Sequence, residues 1–112
     1  MPDCLFCKIV AREIPAQLVF EDAQSIAFKD INPQAPTHVL VVPKKHLDSL
    51  SASVDDDAAL LGHLQRVAAG LAGKLDLKSF RLVTNNGREA GQSVDHLHYH
   101  LLAGRTMQWP PG

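Results

Sequence analysis

The chain has 112 residues, with 11 Lys and Arg against 12 Asp and Glu, and a formal net charge of −1 when its six histidines are neutral. That length, with 46% apolar residues, fits a single domain over 1–112 with its own core. The near-neutral balance excludes a protein that holds nucleic acid by bulk charge, and no apolar run approaches the roughly 20 residues of a membrane span.

In chain order, Asp3 is a candidate N-cap for a short helix over 4–11 that ends before Pro15. Residues 17–21 (QLVFE) and 25–29 (SIAFK) form β-favouring runs around Asp22-Ala23-Gln24, the pattern of a hairpin. DINPQAPTH is a loop leading into a buried strand over 38–43 (HVLVVP). Ser53-Val54-Asp55-Asp56 resembles a capping box with a shorter acid. Leu60, Leu64, Val67, Leu71 and Leu75 then mark the seam of a long amphipathic helix. Gly62, Gly70 and Gly73 weaken that helix by roughly 1 kcal/mol each against Ala, and leave room for another element to approach.

Residues 80–84 (FRLVT) and the run HLHYHLL read as the last two strands, with the polar loop NNGREAGQS between them. The tail MQWPPG continues neither a helix nor a central strand. Five strands, one short and one long helix, and mainly hairpin-like connections predict an α+β fold with an antiparallel sheet. The N-terminal MPDCLFCKIV lacks the layout of a signal peptide, so a soluble, cytoplasmic protein is expected.

The conspicuous residues are six histidines and two cysteines. On a strand, i and i+2 lie about 6.6 to 6.8 Å apart on one face. His96, His98 and His100 therefore share a face, with Leu97, Tyr99 and Leu101 opposite. Three readings stand for that row: a solvated polar face, a metal site, or an imidazole nucleophile with helpers. Cys4 and Cys7 could hold a metal, form a redox pair or pack as small apolar residues. The loop around Gly91-Gln92-Ser93 offers donors to an anion such as phosphate, and donors beside an imidazole suit displacement at phosphorus. Asp30 could equally form an Asx turn before Asn32-Pro33, and Phe6, Ile9 and Phe28 could be plain core. His63 reads as a solvated or interface histidine of the long helix.

HLHYHLL resembles the His-x-His-x-His-x-x signature of the histidine triad (HIT) superfamily. GQSV, DINPQAPTHVLVVPKKH and the ending WPPG resemble its Hint branch, the purine nucleotide phosphoramidases, along essentially the whole chain. The resemblance implies a homodimer built on a five-stranded antiparallel sheet. It also implies hydrolysis of AMP- or GMP-N phosphoramidates and acyl nucleotides through a nucleotidyl-histidine. Within it His98 is the nucleophile, His100 and His38 support the phosphate pocket, and Ser93 sits near the leaving group. Asp30 accepts the ribose hydroxyls. Asn85, Gly91, Gln92, Ser93 and Val94 line the phosphate and ribose region, Leu5, Phe6, Ile9, Phe28 and Ile31 the purine pocket. Trp109 reaches the partner's site. By analogy with zinc-binding relatives, Cys4, Cys7, His46 and His96 hold a structural Zn²⁺. The alternatives are a dinucleoside polyphosphate hydrolase of the Fhit-like kind, a nucleotide-binding module with little turnover, and a zinc hydrolase with the triad as ligands.

Overall fold

The computed structural model describes residues 3–112. The elements are helix α1 (Leu5–Val10), strands β1 (Leu18–Glu21), β2 (Ser25–Lys29) and β3 (Thr37–Pro43), helix α2 (Ala58–Lys74), and strands β4 (Arg81–Val83) and β5 (Tyr99–Ala103). Single 3-10 turns cover Leu50–Ala52, Asp55–Asp57 and Arg88–Ala90. Every strand pair is antiparallel, in the order β1-β2-β3-β5-β4, so β5 returns between β3 and the edge strand β4. This is the α+β, five-stranded antiparallel fold expected from the sequence. Among the described residues no helix is long and apolar enough to cross a membrane.

Alternation along the central strands explains how one sheet carries two cores. Ala27, Val39, Val41, Tyr99 and Leu101 face α2 and pack against Leu64, Val67, Ala68 and Leu71. Their neighbours Ile26, Phe28, Leu40 and Val42 turn to the other face and meet Phe6 and Ile9 of α1. Both faces of β3 are covered, so it reads as an apolar run rather than an alternation. His38 pairs with Leu102 and Leu40 with His100, which puts both histidines on the α1 face.

Several local expectations shift. The N-cap of α1 is Cys4, whose Sγ accepts the Cys7 N–H at 3.4 Å; Asp3 lies one residue too early. The acid of the capping box is Asp57, at the 3-10 turn Asp55–Asp57 ahead of α2: its carboxylate accepts the Val54 N–H at 2.9 Å, while Ser53 Oγ turns back to the Leu50 carbonyl and α2 itself has no side-chain cap. Leu75 ends the helix 45% exposed, because the buried stripe of α2 runs through Leu64, Val67, Ala68, Leu71 and Ala72. A Cβ on Gly62, Gly70 or Gly73 would meet nothing within 4 Å, so none of them admits another element of this chain. His63 is tied to the β1–β2 turn, its Nε2 2.6 Å from Asp22 Oδ2.

Candidate active site and metal centre

The histidine run enters the sheet later than expected. β5 starts at Tyr99, and His96 and His98 lie on the extended segment before it. Tertiary bonds hold that segment: the Leu97 N–H donates to the Leu47 carbonyl at 2.7 Å, and Thr84 Oγ1 donates to the His98 carbonyl at 2.8 Å. Leu97 packs in the α2-side core with Tyr99 and Leu101, as their alternation predicts.

His98 is 4% exposed, with the Phe6 ring edge-on at 5.0 Å between centroids. Its Nδ1 lies 2.7 Å from the His96 carbonyl oxygen. A carbonyl only accepts, so Nδ1 carries the proton and Nε2 keeps its lone pair. Burial pushes the His98 pKa below the ordinary imidazole value, against the opposing pull of the His96 carbonyl and Asp30. The ring is a neutral imidazole with a defined nucleophilic nitrogen.

The neighbouring pair is fixed by the same logic. The Gln34 N–H donates to His38 Nδ1 at 3.0 Å, which puts the His38 proton on Nε2. That Nε2 is 2.8 Å from His100 Nδ1, so His100 accepts there and carries its own proton on Nε2. Burial and the adjacent imidazoles His98 and His38 lower the His100 pKa to about 4. Asp30 Oδ1 accepts the Asn32 N–H at 2.8 Å, and Oδ2 lies 3.4 Å from His38 Nε2. The Asx turn and a carboxylate facing the site thus coexist in one side chain.

Asp30, His98 and His100 line a cleft of about 350 Å³, within the range of small-molecule sites. Its apolar end is built by Leu5, Phe6, Ile9, Phe28, Ile31 and Leu40, its polar end by Asp30, Ser93, Val94, His98 and His100. Ile31 stands fully exposed at the rim. A larger, more open depression of about 570 Å³ shares Leu5, Ser93 and Val94 with the cleft, but contains none of the triad.

Not every expected residue joins the cleft. His38 supports it from behind through His100. Asn85 lines a separate depression with Arg81 and Arg105. Gly91 shapes the loop through its φ of +100°, as Gly87 does at +95°; both are conformations that favour glycine. Gln92 is buried within the loop, its side chain bonded to the chain's own main-chain groups. Trp109 is 81% exposed, with the Arg81 guanidinium 6.0 Å from its ring centre, and does not line its own chain's cleft.

A second cluster joins α1 to the triad. Donor atoms of Cys4, Cys7, His46 and His96 all lie within 4.8 Å of one another. His46 Nδ1 is 3.1 Å from His96 Nδ1, Cys4 Sγ 3.3 Å from His96 Nδ1, and Cys7 Sγ 3.2 Å from His46 Nδ1. Tetrahedral zinc with ordinary bond lengths spaces N···N by about 3.3 Å and S···N by about 3.6 Å. The outer nitrogens confirm which lone pairs face inward: His46 Nε2 meets Asp48 Oδ1 at 2.6 Å, and His96 Nε2 meets the Pro43 carbonyl at 2.8 Å. Both are protonated against acceptors, which leaves two bare Nδ1 atoms pointing at each other with the sulfurs beside them. That donor set fits a closed tetrahedral ion.

Asp30, His38 and His100 also converge, yet their chemistry differs. His38 Nδ1 already accepts from Gln34, so a metal on Nε2 would require an imidazolate. This cluster fits a hydrogen-bond relay and not an ion. Residues without a sequence signal complete both sites: the main chain of Gln34, the carbonyls of Pro43 and His96, and the hydroxyl of Thr84. Asp48 was missed as well; its one sequence signal is an acid two residues after the candidate ligand His46.

Known proteins share this sequence and fold. A HIT domain family model matches residues 11–107, leaving Cys4, Cys7 and Trp109 outside the match. An uncharacterized HIT-like protein of Synechocystis sp. is 57% identical over 111 residues, covering 98% of this chain and 97% of its own. The crystal structure of a HIT family hydrolase from Legionella pneumophila superimposes with a TM-score of 0.95 at 51% identity, over 98% of this chain and 100% of that one. A histidine triad nucleotide-binding protein from Candida albicans gives 0.83 at 35% identity, over 98% and 85%. With the triad, its supporting histidine and the surrounding sheet in place, this chain belongs to the HIT family.

Proposed function

We propose that the protein is a purine nucleoside phosphoramidase that works through a covalent nucleotidyl-His98 intermediate. One observation carries this reading: the buried His98, its Nδ1 proton held by the His96 carbonyl, leaves Nε2 as the lone pair beside a nucleotide-sized cleft. The named hydrolase and nucleotide-binding relatives support the broader class.

In this mechanism the purine lies among Phe6, Ile9 and Phe28, and Asp30 accepts from the ribose. His98 Nε2 attacks the α-phosphorus, and the P–N bond breaks. The departing nitrogen takes a proton from the hydroxyl of Ser93, a cleft-lining residue, and leaves as an amine. Negative charge on the non-bridging oxygens meets the His100 Nε2–H and main-chain donors of the loop. Water then attacks the phosphorus of the adduct, and the proton it releases returns to the Ser93 oxygen; the nucleoside monophosphate leaves and neutral His98 is restored.

Cys4, Cys7, His46 and His96 would hold a structural Zn²⁺ that supplies a rigid tie between α1 and the segment bearing His98. All four ligand positions come from the protein, so the ion has no part in the displacement. The working form is a homodimer, in which the exposed Trp109 reaches the partner's cleft. AMP release from adenosine 5′-phosphoramidate, measured with and without a strong chelator, tests the activity. No release from the unmodified protein would remove the assignment. Release abolished by the chelator with the fold intact would favour a catalytic metal.

A further inference from the structure

Gln92 sits in the middle of the loop that leads to the triad and is only 4% exposed. Its Oε1 accepts the Gly87 N–H at 2.8 Å, while its own N–H donates to the Gly87 carbonyl at 3.1 Å. Together these bonds close the 87–92 turn at both ends. Its Nε2 donates to the Asp48 carbonyl at 2.7 Å and the Val94 carbonyl at 3.1 Å. A side-chain amide has two hydrogens, and both are committed. None is left for a phosphate oxygen unless the loop comes apart.

Asp48 links the two sites. Its main-chain carbonyl receives Gln92, and its carboxylate holds His46 Nε2 at 2.6 Å. Two further bonds tie the same stretch of chain to the loop and to the triad segment after it: the Ser51 N–H to Asn86 Oδ1 at 2.8 Å, and the Leu97 N–H to the Leu47 carbonyl at 2.7 Å. Segment 46–51 therefore braces the loop at Asn86 and Gln92 and carries one member of the Cys4, Cys7, His46 and His96 cluster.

We propose that Gln92 is a positioning residue that presents Ser93 and Val94 to the bound nucleotide and couples their placement to the His46 side of the metal cluster. The substrate contact is indirect. The coupling rests on the metal reading given above, whereas the positioning role needs only the hydrogen bonds.

The test compares the intact, metal-loaded chain with Gln92→Met, which keeps the length but makes none of the side-chain bonds. Gln92→Glu, the second variant, keeps the acceptor for Gly87 and removes both donors. Three readouts are taken: amide hydrogen exchange over 87–94, AMP affinity by calorimetry, and metal content. For Gln92→Met, exchange over 87–94 rises and AMP affinity falls about tenfold, the scale of losing one or two net hydrogen bonds, at unchanged metal content. In Gln92→Glu the Gly87 amide stays protected while the Val94 end opens, and KM rises more than kcat falls.

Native-like exchange together with a fall in kcat would overturn the proposal, since Gln92 would then touch the reacting phosphate. AMP affinity within twofold of the unmodified protein in both variants would overturn it as well. For the coupling, chelation of the unmodified protein should raise exchange over 87–94; unaltered protection there refutes the link to the metal. Exchange and AMP binding do not depend on turnover, so a protein that hydrolyses no phosphoramidate still decides the role of Gln92.

Discussion

The His98 ring is aimed by the main chain of His96: 2.7 Å separates His98 Nδ1 from the His96 carbonyl oxygen. The side chain of His96 meanwhile points into the Cys4, Cys7 and His46 cluster, with its Nε2 on the Pro43 carbonyl. One residue thus serves two sites through different atoms. Its backbone sets the tautomer of the proposed nucleophile, and its imidazole joins the cluster proposed to hold the metal. The two functions separate by mutation.

Under the proposed mechanism, His98→Asn removes the nucleophile and leaves the cluster untouched. Turnover should fall by at least about 10⁴-fold, as when other covalent catalysts lose their nucleophile, while metal content and the circular dichroism spectrum stay as in the unmodified protein. Steady-state kinetics paired with elemental analysis checks both halves.

Cys4→Ser attacks the other function. Cys4 caps α1 and contributes one sulfur, and α1 carries Phe6, which packs on His96 and His98. Metal content should drop below half. Losing about 2 to 3 kcal/mol of metal-linked folding energy should lower Tm by roughly 10 °C. A scanning calorimeter and a metal assay on the same sample decide it; full metal content in the variant would refute the ligand set.

The buried histidines make stability depend on pH in a stated direction. Burial lowers His38, and burial with its imidazole neighbours lowers His100 to about 4. A depressed folded pKa means that the unfolded chain binds the proton first as pH falls. The stabilisation is complete above about 6.5, the unfolded value, and is lost as pH drops towards about 4. For His100 a fall from 6.5 to about 4 corresponds to a loss on the order of 3 kcal/mol. His100→Asn should flatten urea midpoints between pH 7 and pH 4.5 relative to the unmodified chain.

Asp22 organises the β1–β2 turn and joins it to α2. Burial alone would raise its pKa, but bonds from Ser25, the Gln24 and Ser25 main chain and His63 outweigh it and bring it to about 2. Its contribution is therefore present above about 3.8 and disappears only as pH falls through about 2. Asp22→Ala should destabilise the chain by about 1 to 2 kcal/mol at neutral pH, read from urea unfolding, with AMP affinity unchanged.

The sheet, the long helix and the triad were legible because each rests on a short-range pattern. The alternation of Leu97, Tyr99 and Leu101 against the histidines and the stripe of Leu64, Val67 and Leu71 survive in the structure unchanged. What the sequence could not reveal rests on main-chain atoms or distant segments. No residue type marks the Gln34 N–H that fixes His38, or the Pro43 carbonyl that turns His96 inward. Gln92 looked like a phosphate donor because GQS carries an amide and a hydroxyl; only the fold shows the amide spent on Gly87, Asp48 and Val94. The cap of α1 moved from Asp3 to Cys4 because a thiol already held in the cluster can also accept a backbone N–H.

The most direct test of His98 as nucleophile is to trap its adduct. The protein is mixed with adenosine 5′-phosphoramidate, quenched rapidly at alkaline pH, digested, and the peptides are read by mass spectrometry. A nucleotidyl group should appear on the imidazole of His98 within a single turnover and be absent from His98→Asn. An adduct on any other side chain, or AMP release by His98→Asn at the unmodified rate, would contradict the covalent mechanism.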